Sequence, residues 1–193
     1  MGNAAKIAIV VLGLLLLVGV FVGMWVIGEY NQIIAMDEQV KSQWAQVENQ
    51  LKRRYDLIPN LVETVKGYAS HEKGIFENIA AARTQYFQAK TPKDQIAASN
   101  QLEGFLSRLL VLKETYPNLK ANESFLKLQD SLEGTENRIA VERKRYNDVV
   151  KVLNTYRRSF FGRFIAALAN VNEGAYYDIP EAEKAAPKVN FGK

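Results

Sequence analysis

The most constraining feature of the sequence is an uncharged apolar run near its N-terminus. Ile7 to Ile27 reads IAIVVLGLLLLVGVFVGMWVI and contains no charged side chain. As a helix rising about 1.5 Å per residue, this run spans roughly 31 Å, the thickness of a bilayer's hydrocarbon core. Trp25 and Tyr30 lie near its C-terminal end, where amphipathic rings favour the headgroup level. We therefore predict a short N-terminal segment (1–6) followed by a transmembrane anchor (7–27).

A cleaved signal peptide is the alternative interpretation of the same run. The apolar core of a signal peptide is usually about 7–15 residues long, which is shorter than the run found here. The residues at its end, Val26-Ile27-Gly28, also make a poor cleavage site. We therefore expect the run to be retained as a membrane anchor.

The charges on either side of the anchor predict which way the chain crosses the membrane. Lys6 and the α-amine precede it, whereas Glu29 and two further acidic residues follow it before Lys41 is reached. The positive-inside rule therefore favours a cytoplasmic N-terminus and a domain on the non-cytoplasmic side. A basic cluster at 52–54 follows soon afterwards, so the opposite orientation stays open.

The composition removes most classes of enzyme. The chain has no cysteine and a single histidine, His71, which excludes thiol nucleophiles, disulfides and any site that needs two imidazoles. No glycine-rich phosphate loop is present. We therefore expect no catalytic residue, no cofactor and no bound metal, and we expect that the protein is not an enzyme.

The part of the chain that follows the anchor is mildly basic. It holds all 21 acidic residues and 24 of the 25 basic ones, which gives a formal charge of +3. The basic residues do not form a stripe interleaved with aromatic rings, as they do in nucleic-acid-binding proteins. We therefore expect no nucleic-acid partner.

Beyond the anchor, apolar residues recur at steps of three and four, which predicts amphipathic helices rather than strands. The first helix should end near Gly67, with a kink or a restart at Pro59. Ser70 is the expected cap of a second helix. A third should begin with Thr91 as its N-cap and Pro92 at its first position.

The remaining helix limits complete the predicted fold. The third helix should end before Tyr116-Pro117, because the residue before a proline disfavours helix, and a fourth should begin near Asn122. We therefore predict an all-α fold in which an N-terminal transmembrane helix precedes an antiparallel four-helix bundle with two long and two shorter helices, over residues 29–170. A pair of helical hairpins that opens into a coiled coil is the alternative.

Antiparallel packing also predicts which residues meet between the first and last helices. The turn at the top of the bundle gives paired positions on these two helices numbers that sum to about 190. Arg54 then faces Glu136, and Trp44 faces Tyr146. A partly buried arginine–glutamate pair and a solvated surface pair are both compatible with this pattern.

The same register brings a run of arginines and phenylalanines, RRSFFGRFIAAL at 157–168, to the height of Glu29 beside the anchor. Rings that face acyl chains and guanidinium groups that face phosphates are typical of interfacial segments. We hypothesise that residues 157–169 rest on the bilayer or pack against a neighbouring anchor; the alternative is that the rings close the bottom of the bundle core. The candidate membrane-interface residues are Arg157, Arg158, Phe160, Phe161, Arg163 and Phe164.

The last part of the sequence, 171–193, lacks helical periodicity and is expected to be an extended tail. Pro180 and Pro187 are typical of a linker. The apolar side chains of the tail could still dock on the bundle, on a second protomer or on another protein; disorder is the alternative. These side chains are Tyr176, Tyr177, Val189 and Phe191.

Three stretches of the sequence resemble the LemA family of bacterial membrane-anchored proteins. They are QLKRRYDLIPNLVETVKGYASHEK at 50–73, SRLLVLKETYPNLKAN at 107–122 and FLKLQDSLEGTENRIAVERKRYND at 125–148; the dipeptide Tyr30-Asn31 and the ending APKVNF at 186–191 are also similar to the family. The resemblance implies an N-terminal transmembrane helix, an antiparallel helical bundle and no known enzymatic activity. Some members are associated with magnetosome formation, and some genes lie beside those of membrane proteases or envelope-stress proteins, which suggests a membrane-organising or accessory role.

The sequence departs from the family pattern after Arg158. The resemblance implies a proline-containing loop there, whereas residues 160–169 could continue as helix. A longer last helix is therefore possible.

Polar residues form a dense cluster within the resembling stretches. A carboxylate-held metal or a glycosidase-like acid pair could be imagined among them. Glutamates are nevertheless routine on solvated helix faces, where charged residues support one another at helical spacing. We therefore interpret the cluster as a structural or partner-docking network. The candidate docking residues are Arg53, Arg54, Asn60, Glu63, Glu133, Glu136, Asn137, Arg138 and Arg143.

The sequence favours a membrane-anchored, non-enzymatic scaffold or interaction protein, single-pass in the bacterial inner membrane. We expect its partners to be the lipid bilayer and a second copy of itself, an unidentified membrane protein, or both. The alternative is an accessory or regulatory subunit of a membrane protease or envelope-stress system.

Overall fold

The computed structural model describes residues 2–178, with the side chains of all of these except 4–6 and 8. Within that range helices account for 85% of the residues and no strand is present, which confirms the all-α prediction. The helices are α1 (Asn3–Lys66), α2 (Lys73–Gln88), α3 (Pro92–Thr115), α4 (Pro117–Lys120), α5 (Glu123–Arg158) and α6 (Gly162–Leu168).

The chain divides into two compact units. Within the described residues, unit 1 consists of 2–41 and 149–174, and unit 2 consists of 42–148 and 175–178. Helices α1 and α5 therefore contribute residues to both units, α6 belongs to unit 1, and α2, α3 and α4 belong to unit 2.

The apolar run of the sequence lies in α1. Its most apolar stretch has no buried residue, and α1 is long and apolar enough to cross a membrane, as an N-terminal anchor requires. The helix continues through Pro59 and ends at Lys66. Of the two predicted outcomes at Pro59, a kink or a restart, the continuous helix excludes the restart, and the predicted end at Gly67 is confirmed. Ile58 and Leu61 are buried on either side of the exposed proline, so tertiary packing stabilises the helix across it.

The start of α2 differs from the prediction that Ser70 caps it. After α1 ends, the backbone amides of Tyr68 and Ala69 both donate to the Val65 carbonyl at 2.9 Å, and the Glu72 amide donates to the Ala69 carbonyl at 3.1 Å. These bonds continue the turn as far as Glu72, which occupies the N-cap position of α2 without a side-chain cap. Ser70 lies inside the turn because the buried Ala69 side chain holds that part of the chain.

The predicted limits of α3 are confirmed. The Thr91 hydroxyl accepts a hydrogen bond from the Asp94 amide at 3.2 Å, and Pro92 is the first helical residue, which is the arrangement that stabilises a helix N-terminus. The helix ends at Thr115, immediately before Tyr116 and its proline. The short helix α4, which starts at that proline, is not predicted by the sequence pattern.

The end of α5 corrects the expectation that residues 160–169 continue the last helix. Helix α5 begins near Asn122, as predicted, but ends at Arg158, and the separate helix α6 begins at Gly162. A Cβ atom at position 162 would lie 1.9 Å from the Tyr156 carbonyl oxygen. Glycine therefore permits the backbone to turn this closely against the end of α5.

Helix α6 ends in a Schellman motif. The amide of Val171 donates to the Ala166 carbonyl at 3.0 Å, and the amide of Asn170 donates to the Ala167 carbonyl at 3.2 Å. Asn170 has a φ of 53°, in the left-handed region that asparagine tolerates better than most residues. The motif directs Val171 into the core of unit 1, where it is 6% exposed.

Each unit has its own apolar core. In unit 1 the buried side chains are Ile33, Leu153, Ile165, Ala166 and Val171, with Val26, Met36 and Tyr156 packed against them. In unit 2 the buried apolar residues follow the predicted helical periodicity along α1, α2, α3 and α5. The rings of Trp44 and Tyr146 lie 5.1 Å apart there, as the register predicts, and the rings of Tyr55 and Tyr86 stack at 4.2 Å.

Candidate functional site

The largest buried polar group of unit 2 is the guanidinium of Arg54. Arg54 is 0% exposed, and its Nη1 donates to both carboxylate oxygens of Glu136, at 3.1 and 3.2 Å. Its Nη2 donates to the hydroxyl and to the carbonyl of Ser99. Arg54 on α1 is thereby joined to α5 and to α3 by side-chain hydrogen bonds.

The C-terminal segment completes this network. The phenolic oxygen of Tyr177 lies 2.7 Å from the Ser99 hydroxyl, and the Tyr177 side chain is 1% exposed. The guanidinium of Arg143 lies over the Tyr177 ring, 5.7 Å from its centroid. We call Arg54, Ser99, Glu136 and Tyr177 the Arg54 network.

The electrostatics of the network depend on burial and on one opposite charge. Burial by itself lowers the pKa of the Arg54 guanidinium. The charge of Glu136, with smaller contributions from Tyr177 and Tyr55, raises the same pKa by more than burial lowers it, so that the net shift is upward. Burial raises the pKa of the Tyr177 phenol, and the nearby Arg54 charge only partly opposes it. The network therefore holds a charged arginine beside a neutral tyrosine.

Residues 175–178 are tied to the helices of unit 2 through their backbone. The Asn147 side chain accepts a hydrogen bond from the Tyr177 amide at 2.8 Å and donates one to the Tyr177 carbonyl at 3.0 Å. The Tyr146 hydroxyl donates to the Ala175 carbonyl at 2.9 Å, and the Asn100 amide group donates to the Asp178 carbonyl at 3.2 Å. This part of the predicted tail is therefore docked in an ordered, non-helical conformation.

Two of the four predicted anchors of the tail lie within the described residues. Tyr177 is buried, whereas Tyr176 is 39% exposed. Val189 and Phe191 lie outside residues 2–178.

The structure separates the predicted docking residues into two groups. Arg54 is buried, Glu136 is partly buried, and Arg143 is half-buried against the Tyr177 ring, so all three side chains make contacts inside unit 2. The remaining candidates have exposed side chains that a partner could reach. They are Arg53, Asn60, Glu63, Glu133, Asn137 and Arg138.

Three of the predicted docking residues line one surface groove. Glu133, Glu136 and Asn137 on α5 form one wall, and Leu106, Ser107 and Leu110 on α3 belong to the other. The groove has a volume of about 290 Å³ and combines carboxylates with leucine side chains. We call it the α3–α5 groove.

The predicted membrane-interface residues lie where α5 turns into α6. We call residues 157–168 the α5–α6 corner. Phe160, Phe161 and Phe164 are 65%, 55% and 57% exposed, so they do not close the core, and the alternative interpretation of these rings is wrong. The buried side chains of the corner are instead Ile165 and Ala166.

The rings of the corner are grouped with arginine. Phe161 lies against Trp25 of α1 with ring centroids 5.1 Å apart in an edge-to-face arrangement. The guanidinium of Arg163 lies 5.1 Å from the centroid of Phe160 and 4.8 Å from that of Phe164. Arg158 pairs with Glu173 at 2.9 Å.

The sequence does not predict Ser99 or Asn147 as contact residues, nor does it predict what Tyr177 contacts. Ser99 follows two consecutive alanines in α3, and nothing in its neighbourhood marks it as a hydrogen-bond partner. Tyr177 is predicted as a docking residue because it is an apolar residue in a polar tail, but the sequence pattern does not indicate what it contacts. Asn147 resembles any solvated polar residue of a long helix.

The ligand types available for a metal are few in the described part of the chain. Between residues 2 and 178, no three acidic or imidazole side chains converge in a way that could hold a metal ion. His71 is exposed in the turn before α2.

A family model matches most of the chain. The model is that of the LemA family, and it matches residues 43–191. That range includes all the residues of the Arg54 network and the whole α5–α6 corner.

Individual relatives are similar to the chain at low identity. Magnetosome protein MamQ 2 of Paramagnetospirillum magneticum is 24% identical over 174 residues, which cover 77% of this chain and 64% of that protein. Protein LemA of Metamycoplasma hominis is 20% identical over 175 residues, which cover 90% of this chain and 80% of that protein. The chain thus spans less than two thirds of the length of MamQ 2.

Proposed function

Because this chain belongs to the LemA family, we propose that it is a membrane-anchored, non-enzymatic interaction protein that self-associates or docks a membrane partner. The apolar part of α1 serves as the anchor and unit 2 supplies the docking surface. Its place is the bacterial inner membrane, with unit 2 on the non-cytoplasmic side. The charge distribution around the anchor supports that orientation.

The observation that carries this proposal is that the buried Arg54 guanidinium bonds with other groups of the fold. A buried arginine beside a carboxylate could activate a substrate, but here its guanidinium bonds with Glu136 and Ser99, and Ser99 bonds with Tyr177. The polar groups at the centre of unit 2 thus hold three helices and the C-terminal segment together. This arrangement supports a structural role for the interior and leaves recognition to the surface.

We propose the α3–α5 groove and the charges beside it as the docking surface. Glu133 and Asn137 line the groove, and Arg138 follows on the same helix with an exposed side chain. The leucines of the groove supply apolar contact area, while the surrounding charges supply orientation and specificity.

The helices of unit 2 are proposed to form an antiparallel four-helix bundle from α1, α2, α3 and α5. Three contacts support this arrangement: Arg54 of α1 with Glu136 of α5, Arg54 with Ser99 of α3, and Tyr55 of α1 with Tyr86 of α2. A closed bundle buries the apolar stripe of each helix and leaves charged faces for partners.

Crosslinking in intact cells tests the proposed function. The tagged full chain is crosslinked in the membrane, extracted in mild detergent and identified by mass spectrometry. We expect a defined species that contains either several copies of this chain or a stoichiometric second membrane protein. A chain that is recovered alone, without copies or partner, would overturn the proposal.

A pair of charge swaps on α5 locates the docking surface. Glu133→Lys with Arg138→Glu reverses two charges beside the groove and preserves the net charge. Glu123→Lys with Lys127→Glu is the matched control, because these side chains are 88% and 81% exposed at the N-terminal end of the same helix and do not line the groove. We expect the first swap to deplete the crosslinked species and the second to leave it unchanged; equal effects would place the docking surface elsewhere.

A further inference from the structure

We propose that the α5–α6 corner is a phospholipid-binding surface, with its exposed rings among the upper acyl chains and its arginines at the lipid phosphates. The inference rests on the proposed function in one respect, namely that the apolar part of α1 spans the bilayer. It adds a second element of unit 1 that contacts lipid directly.

The position of the corner along α1 is the first support. Phe161 contacts Trp25 edge to face with centroids 5.1 Å apart, and Trp25 lies near the C-terminal end of the apolar run. An aromatic ring at the end of a spanning helix favours the headgroup level. Phe161 is therefore placed at the height where the hydrocarbon core gives way to the headgroups.

The exposure of the corner is the second support. Phe160 and Phe164 are packed edge to face with centroids 6.0 Å apart, yet both are more than half exposed. Leu168 is 67% exposed. Large apolar side chains grouped in this way on one short segment are costly in water. Acyl chains beside the anchor remove that cost without a second protein.

The charges of the corner are the third support and indicate the ligand. Among residues 2–178, neither Arg157 nor Arg163 forms an ion pair with an acidic side chain, while Arg158 is paired with Glu173 at 2.9 Å. The Arg163 guanidinium lies over two phenylalanine rings, and the residue is exposed. Guanidinium groups match phosphate oxygens in geometry and charge.

These three observations favour lipid, rather than a second copy of the chain, as the ligand of the corner. The rings continue the apolar surface of the anchor through the Trp25–Phe161 contact, so they meet whatever surrounds the anchor. The exposed Arg163 guanidinium stands beside those rings, which is the order in which a bilayer presents acyl chains and phosphates.

Spin labels on the full chain in lipid nanodiscs test the inference. Because the chain has no cysteine, a variant with one introduced cysteine accepts one nitroxide. The three single variants are Phe164→Cys, Leu15→Cys and Val141→Cys. The accessibility of each label to oxygen and to a water-soluble nickel chelate is measured by power-saturation electron paramagnetic resonance. Val141 is the control, since it is 50% exposed on α5 within unit 2.

The lipid proposal predicts that the label at 164 is accessible to oxygen but protected from nickel, unlike the label at 141. If the label at 164 is as accessible to nickel as the label at 141, the inference is wrong. Protection from both reagents would also overturn it, because the surface would then be covered by protein. A label at Leu15 that nickel reaches would instead contradict the anchor itself, which separates failure of the proposed function from failure of this inference.

The contribution of charge is measured by native mass spectrometry from nanodiscs that contain zwitterionic and anionic phospholipids. We expect Arg163→Gln to lower the enrichment of bound anionic lipid about fivefold, since each basic residue near a membrane surface contributes on the order of 1 kcal/mol. Arg108→Gln on α3 is the matched control, because Arg108 is exposed within unit 2. Equal enrichment in the two variants would contradict phosphate binding by the corner.

Discussion

The guanidinium of Arg54 lies 3.1 Å from the Glu136 carboxylate although 82 positions separate the two residues in sequence. The arginine side chain is fully buried, whereas the glutamate side chain is 33% exposed. The pair therefore combines a desolvated charge with a partner that water still reaches. Such a pair fixes how two helices align more than it adds to net stability.

Glu136→Gln should destabilise the fold, because it leaves the buried Arg54 charge without a carboxylate. We expect a loss of about 2 kcal/mol in the free energy of unfolding, less than for a fully buried pair since Glu136 is partly solvated. The measurement is chemical unfolding of the full chain in mild detergent, followed by circular dichroism. Glu133→Gln on the same helix should change the stability by less than about 0.5 kcal/mol. Equal losses in both variants would show that Arg54 does not depend on Glu136.

The stability of unit 2 should decrease at alkaline pH. Burial raises the pKa of Tyr146 to about 12 and also raises the pKa values of Tyr55, Tyr86 and Tyr177. In the unfolded chain these phenols titrate near their ordinary pKa of about 10. Between that value and the folded pKa, the folded state retains protons that the unfolded state has lost. The stabilisation is therefore complete below about pH 10 and is lost as the pH rises through the folded pKa.

Thermal unfolding from neutral to alkaline pH checks this dependence. Tyr146→Phe should flatten the decline above about pH 10, because it removes one of the phenols that must stay protonated. At neutral pH the same variant should lose about 1 kcal/mol, since the Ala175 carbonyl loses its donor. Tyr176→Phe, which alters a partly exposed phenol of the same segment, is the control and should leave the decline as it is. If Tyr146→Phe does not alter the decline, the loss of stability at alkaline pH does not come from the Tyr146 phenol.

Gly162→Ala should disrupt the α5–α6 corner. The added Cβ would lie 1.9 Å from the Tyr156 carbonyl oxygen, and a backbone atom cannot move aside as a flexible side chain does. We expect a loss on the order of 2 kcal/mol, within the range for overpacked sites. Gly134→Ala in α5 is the matched control, because nothing lies within 4 Å of its added Cβ; it should gain about 0.5–1 kcal/mol from helix propensity. Thermal unfolding distinguishes the two variants. A stabilised Gly162→Ala variant would show that the corner has room for a Cβ atom at position 162.

Asn147→Ala should release the C-terminal segment from unit 2. Both backbone groups of Tyr177 lose their partner, which should cost about 1–3 kcal/mol. Hydrogen exchange of residues 175–178, read by mass spectrometry, should become faster. Asn137→Ala on the same helix removes an exposed amide and should leave the exchange of the segment unaffected. Unchanged exchange in Asn147→Ala would mean that the Tyr177 side chain and the bonds from Tyr146 and Asn100 hold the segment without Asn147.

Much of the fold could be predicted because local rules and tertiary packing agree. Thr91 and Pro92 mark the start of α3 through capping alone, and the apolar period of α1 and α5 places Arg54 against Glu136 and Trp44 against Tyr146. These features depend on helix geometry, which sequence spacing encodes directly.

The remaining features depend on contacts that no local pattern encodes. Ser70 is a good N-cap by residue type, but the buried Ala69 holds the turn as far as Glu72. The break between α5 and α6 depends on the approach of Gly162 to the carbonyl of Tyr156, six residues earlier. Ser99 and Tyr177 meet only because α3 and the C-terminal segment pack together in unit 2.

We propose that this protein acts through association in the membrane. The most direct measurement is the mass of the particle that contains the full chain, extracted from native membrane in polymer-bounded lipid discs and analysed by native mass spectrometry. We expect particles with more than one copy of the chain, or with one stoichiometric second membrane protein. Particles that hold a single copy and lipid alone would contradict it.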